Sequence, residues 1–261
     1  MILCVDVGNT TTTIGILDGA RTEAFWRVVT RERTGDEYAM LLRPLMASVR
    51  PEIRPTLAGV CSVVPGETAS LAEALMEGLG LEARIVNGTG DSGVEVATAD
   101  PEEVGGDRIA NAAGALYEYG APVIVIDAGT ATTFDYVSPE GRYVGGVIAP
   151  GILAGARDLW ARARMLPAVE IRKPPSVIGN TTIPCMQSGI FFGALGQIEG
   201  IVRRMWEELG MRCPVVLTGG EAALVRDHLG FEVVYDPYLT LKGISYAVDP
   251  DLRRGAGRVQ L

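Results

Sequence analysis

Hydrophobic positions fall in short runs that alternate with polar turns. Met1 to Val5 is apolar and stops on Asp6. Residues 11–17, TTTIGIL, are β-branched and predict a second strand, and Arg21 to Val29 predicts a third, with Asp18-Gly19 as the hairpin turn between them. Residues 35–49 change to helical spacing, interrupted by Pro44. Thr56 to Val64 reads as a buried strand, Gly66 to Gly80 as a helix closed by glycine, and Ala83 to Asn87 as a strand before a loop over 87–93. A helical pattern follows Arg108, and the run Val123 to Ile126 predicts a buried strand ending on Asp127. Arg142 to Ala149 predicts a strand, Ile152 to Met165 a helix, and the Pro- and Thr-rich residues 166–185 an irregular excursion. Gln187 to Leu209 predicts a long apolar helix, Pro214 to Leu217 a strand, Glu221 to Leu229 a helix, and Phe231 to Tyr235 a strand. A last helix is expected from Pro237 to Val248, then a tail, RRGAGRVQL, that frays. An opening meander followed by alternating strands and helices makes an α/β protein with mixed pairing.

One unit of this pattern occurs twice. ILCVDVGNTTTTIGILDG and VIVIDAGTATTFDYVSPEG each run from an apolar strand to Asp, x, Gly, a threonine cluster, a second strand and a turn ending in Gly. The repeat implies two similar halves facing one another, divided at residues 115 and 116 into 1–115 and 116–261. Two like carboxylate turns on one cleft suit a nucleoside triphosphate, its phosphates held by backbone N–H groups and threonine hydroxyls with aspartates near the metal. Taken singly, each turn is also ordinary Asp-x-Gly chemistry. Thr218-Gly219-Gly220-Glu221 is a third glycine turn, able to approach a nucleobase or ribose and equally able to be a routine connection.

Composition narrows the partners. The hydrophobic share of 48% and charged share of 21% are globular, and the net charge of −9 argues against nucleic acid and anionic membrane. Four scattered cysteines without a CxxC pair suggest neither a disulfide framework nor a zinc site. The first residues lack a basic segment and a long apolar run, and no apolar stretch reaches membrane-spanning length, so a cytoplasmic protein is expected.

Neither lysine, Lys173 nor Lys242, follows a glycine loop, so a P-loop is excluded, and no G-x-G-x-x-G stands at a strand end. The single histidine, His228, lies among Leu224 and Leu229 and reads as a surface or half-buried packing residue, not a catalyst. A general base therefore has to be a carboxylate: Asp6, Asp107 or Asp127. Asp107 differs in opening a helical pattern beside Arg108 instead of lying in a threonine turn, the place for a base that meets an alcohol acceptor apart from the metal. Arg108 could fork onto a substrate carboxylate or brace the helix start by pairing with Asp107 or Glu103.

The motifs DVGNTTT at 6–12, VGGDR at 104–108, DAGTATT at 127–133, GGVIAPG at 145–151, NTTIPCMQSG at 180–189 and LTGGEA at 217–222 together resemble the type III pantothenate kinases. That family belongs to the acetate and sugar kinase, heat-shock ATPase and actin superfamily. The resemblance implies two duplicated ribonuclease-H-like halves with a nucleotide cleft between them, and transfer of the ATP γ-phosphate to the 4′-hydroxyl of pantothenate in coenzyme A biosynthesis. It implies Asp107 as general base and a first phosphate loop of Asp6, Val7, Gly8, Asn9, Thr10, Thr11, Thr12 and Thr13, with Asp6 near Mg2+. Thr130 falls on an ATP-contacting position, and Asp127 on the site of a monovalent cation, K+ or NH4+. Gly105, Gly106 and Arg108 fall on the pantothenate site, with Thr182 reaching it across a homodimer interface placed on the long helix from Gln187. One departure stands out: where the family usually has a tyrosine before the Asp-Pro preceding VGGDR, this chain has Thr98. A threonine can still hydrogen-bond the acceptor but offers no aromatic wall. The rival readings are a kinase of the same superfamily with another small hydroxy or carboxylic acid acceptor, and a non-catalytic regulator of the same fold.

Overall fold

The computed structural model describes residues 1–163 and 165–255. The chain divides into two compact units: Met1–Pro122, Tyr136–Gly145 and the segment from Tyr238 form one, and Val123–Asp135 with Gly146–Pro237 form the other. Both units are built from segments that are discontinuous in sequence.

In the first unit, β1 (Ile2–Val7) is the central strand of five. It runs antiparallel to β2 (Thr11–Asp18), which carries β3 (Arg21–Val29), and parallel to β4 (Leu57–Ser62), which carries β5 (Ala83–Ile85). β1 is buried at every position except Asp6, as a strand covered on both faces should be. The register sets Thr13 on one side of Asp6 and Cys61 on the other. Helix α1 (Gly35–Ser48) begins with a capping box in which the Glu37 backbone N–H donates to Thr34 Oγ1 at 3.3 Å and the Thr34 N–H to Glu37 Oε2 at 2.9 Å. Pro44 is accommodated inside this helix on an exposed face, where the carbonyl it leaves unpaired can meet water. Helix α2 (Glu67–Glu73) passes into a π turn at Ala74–Gly78 in place of one continuous helix. Leu3, Val5, Ile14, Ile16, Leu42 and Leu75 form the core between sheet and helices. A short strand, β6 (Glu95–Val96), precedes helix α3 (Gly106–Tyr119).

In the second unit, β7 (Val123–Ala128) lies between β8 (Ala131–Val137), flanked in turn by β9 (Arg142–Pro150), and β10 (Val215–Thr218), which pairs in parallel with β11 (Val234–Tyr235). The first residues of β9 belong to the first unit, where Arg142 and Tyr143 pair with β6. Helix α4 (Ile152–Arg162) follows β9, and α5 (Thr182–Leu209) is the longest helix. α5 starts before Gln187 because Pro184 sits in its first turn, where no intrahelical N–H is needed. The excursion before it is fastened down: Gln187 Nε2 donates to Glu170 O at 2.9 Å, and Ser188 Oγ to Val177 O at 2.5 Å. Glu221 to Leu229 is not an α-helix. It forms two 3-10 turns, Ala222–Leu224 and Arg226–His228, parted by Val225 at φ −122°.

The C-terminal helix α6 (Leu239–Val248) belongs to the first unit and packs on α3. A Cβ at Gly243 would lie 1.7 Å from the Ala110 carbonyl oxygen, so only glycine permits this approach. Thr240 Oγ1 donates to Asn111 Oδ1 at 2.7 Å across the same seam. This seam, formed by residues distant in sequence, is why the compact units are discontinuous. A short helix, α7 (Pro250–Gly255), ends the described chain, and residues 256–261 of the expected frayed tail lie outside the described residues.

Candidate active site

The first unit gathers Asp6 and Asp107 on either side of one buried thiol. Asp6 is the penultimate residue of β1, and the turn after it is closed by the Gly8 N–H donating to the Thr11 carbonyl at 3.1 Å. Asn9, Thr10 and Thr11 are exposed at the tip, while Val7 and Thr12 are fully buried beneath it. The Thr12 hydroxyl faces inward and shares a 2.9 Å hydrogen bond with Thr30 Oγ1. Cys61, on the neighbouring strand β4, donates from Sγ to Asp6 Oδ1 at 3.2 Å. Burial pushes the Cys61 thiol well above its ordinary value, and the nearby charges of Asp6 and Asp107 add to this.

Asp107 lies in the first turn of α3. A Cβ at Gly106 would stand 2.5 Å from the Val86 carbonyl oxygen and 3.1 Å from the Cys61 Cβ, so glycine lets the helix start close against β4. Gly105 is the N-cap, and a Cβ there would meet Asp107 Oδ1 at 2.5 Å. The glycine pair thus leaves room for the Asp107 carboxyl, which accepts from the Arg108 N–H at 2.8 Å. Burial raises its pKa above the ordinary carboxylate value, against a smaller lowering by the Arg108 N–H and guanidinium. The Arg108 guanidinium lies 5.7 Å from the ring centroid of Tyr143. Tyr143 is fully buried, and its carbonyl accepts from the Ala97 N–H at 2.8 Å. The adjacent Thr98 hydroxyl is buried without a hydrogen-bond partner, a state that costs about 1–3 kcal/mol until something fills it.

The second unit builds its aspartate turn differently. The Gly129 N–H donates to the Ala131 carbonyl at 3.0 Å, a turn one residue tighter than the first, with Thr130 exposed at its tip. Gly219, at φ +99°, closes over Asp127: a Cβ there would lie 2.4 Å from Asp127 Oδ1 and 2.3 Å from the Ala128 carbonyl oxygen. A Cβ at Gly151 would stand 2.2 Å from the Gly129 carbonyl oxygen and 2.5 Å from that of Thr130. Glu221 ties these pieces together, its N–H donating to the Ala128 carbonyl at 2.8 Å and its Oε2 accepting from the Leu153 N–H at 3.0 Å. Burial raises the Glu221 pKa. The third glycine turn therefore meets the Asp127 turn directly. Thr182 is exposed at the start of α5, on the wall of a groove of ≈ 760 Å³ that Gly151, Leu159, Cys185 and Met186 also line. His228 is an exposed residue whose ring packs on Phe191 at 5.2 Å between centroids.

Cys61 and Tyr143 were not legible as candidate residues: Cys61 reads as one more apolar strand residue, and Tyr143 acquires its neighbours only through tertiary contacts. Gly151 and Glu221 stood within motifs but with no role of their own. Among the described residues no helix is long and apolar enough to cross a membrane.

The fold, two ribonuclease-H-like halves each carrying an aspartate turn, is one that solved sugar kinase structures share. A ROK family glucokinase from Streptomyces griseus, in complex with glucose and AMPPNP, matches with a TM-score of 0.53 at 14% identity, over 95% of this chain and 99% of that one. A protein described as a Baf family transcriptional activator from Campylobacter jejuni matches with a TM-score of 0.58 at 17% identity, over 95% and 98%. Likeness at such identities concerns the fold alone. The family model for type III pantothenate kinase matches residues 2–204. Type III pantothenate kinases of Agathobacter rectalis and Moorella thermoacetica are similar throughout: the first is 42% identical over 98% of this chain and 99% of its own, the second 43% over 94% and 97%. The chain belongs to the type III pantothenate kinase family.

Proposed function

We propose that this protein transfers the γ-phosphoryl group of ATP to the 4′-hydroxyl of pantothenate, giving 4′-phosphopantothenate for coenzyme A biosynthesis in the cytoplasm, with Asp107 as general base. The observation that carries the assignment of the base is the desolvated Asp107 carboxyl at the start of α3, on the same thiol-lined wall as Asp6. A carboxylate with a raised pKa accepts a proton from an alcohol more readily than a solvated one. Family membership supports the donor and the acceptor.

Phosphoryl transfer is largely positioning and charge stabilisation. The exposed tip Asn9 to Thr11 presents backbone N–H groups and hydroxyls to phosphate, braced from beneath by Val7 and the Thr12–Thr30 pair, while Gly8 and Thr13 complete the loop. Asp6 is the carboxylate for Mg2+, which when bound neutralises phosphate charge. Among the described residues no cluster of three or more acidic, Cys or His side chains stands ready for a metal, and Mg2+ in kinases needs only one or two carboxylates beside phosphate oxygens. Asp127 and the carbonyls of Gly129 and Thr130, against which only a glycine at 151 can pack, offer oxygen donors suited to K+ or NH4+. Thr130 meets ATP. In the acceptor site, Gly105 and Gly106 leave space, Arg108 pairs with the pantothenate carboxylate, and the partnerless Thr98 hydroxyl hydrogen-bonds the acceptor. The protein acts as a homodimer through α5, so that Thr182 serves the acceptor site of a second copy.

The test is product analysis by mass spectrometry after incubation with ATP, Mg2+ and pantothenate, beside a panel of small hydroxy acids and sugars. 4′-Phosphopantothenate as the dominant product is expected. A phosphorylated hydroxy acid in its place would transfer the reading to another acceptor, for which Thr98 is the specific reason. No product from any acceptor would favour a regulator.

A further inference from the structure

Cys61 is fully buried on β4, directly across from Asp6 in the parallel pairing of β1 and β4. Its Sγ donates to Asp6 Oδ1 at 3.2 Å. The first turn of α3 presses on the same residue, with the Gly106 position 3.1 Å from the Cys61 Cβ when a Cβ is placed there. One side chain thus touches the strand that delivers Asp6 and the helix that delivers Asp107. The second unit repeats the arrangement: Thr218 of β10 is the strand neighbour of Asp127, as Cys61 of β4 is of Asp6. In both units a residue able to donate a hydrogen bond therefore stands beside the turn aspartate, on the strand parallel to it. A hydrophobe of similar size would fill the space but remove the Sγ donor from Asp6 Oδ1.

The geometry points to Cys61 as a positioning residue for the transfer reaction, acting through Asp6. The thiol holds Asp6 Oδ1 on the β4 side and so fixes the rotamer of the carboxylate at the phosphate turn. This inference rests on the proposed role of Asp6 in holding Mg2+ with the nucleotide. A thiol is a weak donor, but its acceptor here is charged, and losing the bond should weaken binding by up to roughly tenfold.

The experiment compares wild type, Cys61→Ser, Cys61→Ala and Cys61→Val by calorimetric titration with Mg·ADP, by steady-state kinetics and by thermal melting. Cys61→Ala leaves a cavity, whereas Cys61→Val fills the site without a donor, so the two separate packing from hydrogen bonding. Both should bind Mg·ADP about tenfold more weakly and raise the KM for Mg·ATP by a similar factor, with the KM for pantothenate little changed. Cys61→Ser, which keeps a donor, should recover the greater part of the loss. In an Asp6→Asn background, Cys61→Val should have almost no further effect on Mg·ADP affinity. Wild-type affinity in Cys61→Val would overturn the inference, as would equal losses in Cys61→Ser and Cys61→Val, or an undiminished effect without the Asp6 carboxylate. The two readings fail separately: if wild type phosphorylates no pantothenate but the calorimetric pattern holds, the acceptor is wrong while the Cys61–Asp6 relation stands.

Discussion

The two aspartate turns begin as copies and end as different devices. β1 and β7 share one burial pattern, buried at every position but the aspartate, and the strands after them start alike with one exposed, one buried and one half-buried residue. The difference lies in what each turn meets. The first is a residue longer, opens Asn9 to Thr11 to solvent, anchors Thr12 on Thr30 and leans Asp6 on a thiol. The second is tight and is closed by Gly219 and Gly151, and its equivalent of Thr12, Thr132, is fully buried with a hydroxyl that has no partner. One supersecondary unit can therefore end in either an open turn or a closed one, decided by neighbouring strands and one residue of loop length.

The largest effect should come from the proposed base. Asp107→Asn should lower kcat by about 10²–10⁴ with Mg·ATP affinity retained, measured by steady-state kinetics and calorimetry. An unchanged rate would remove Asp107 from the mechanism. Because its folded pKa is raised, the acid limb of the pH–rate profile should lie above the ordinary carboxylate range. The same shift has a stability consequence of definite sign. Protonated Asp107 is the better-tolerated form in the fold, so this contribution is present below the unfolded pKa and lost as pH rises through the raised folded value. Asp107→Asn should then melt higher than wild type near neutral pH, the gap closing at acid pH.

Next should come Asp127→Asn, weakening activation by K+ by roughly tenfold to a hundredfold while Mg·ADP still binds; equal damage to Mg·ADP binding would mean that the two turns share one job. Gly219→Ala should destabilise by about 1–3 kcal/mol in denaturant titrations, since its φ of +99° and its contact with Asp127 both exclude a Cβ. Thr182→Val should raise the KM for pantothenate severalfold and leave that for ATP alone; movement of the ATP constant only would remove Thr182 from the acceptor site. The smallest and most pointed test is the pair Thr12→Val and Thr132→Val. The first should cost about 1 kcal/mol by breaking a buried hydrogen bond, whereas the second should be neutral or slightly stabilising in the protein without ligand.

Much of this was legible from pattern alone. The strands ending on Asp6 and Asp127 announced themselves because a buried strand must be apolar until the chain reaches solvent, and the repeat then aligned the two turns. The helix starting at Gly106 was equally plain. Short-range rules also carried signals that passed unread, such as the T-x-x-E box at Thr34 and the tolerance for Pro184 in a first turn. What could not be read is what tertiary packing decides. Nothing local says that Cys61 touches Asp6, or that Gly219 closes on Asp127. The helical spacing after Glu221 gave way to 3-10 turns because this segment is tied at Ala128 and Leu153. The return of α6 to the first unit depends on Gly243 meeting Ala110, more than a hundred residues away.

The most direct measurement is pantothenate-dependent ADP release by the purified protein with ATP and Mg2+, run in potassium and again in sodium, for wild type and Asp127→Asn. Division of labour between the turns requires wild type to turn over in potassium far faster than in sodium, and the variant to be slow in both. Equal wild-type rates in the two salts, or a variant that still responds to potassium, would contradict it.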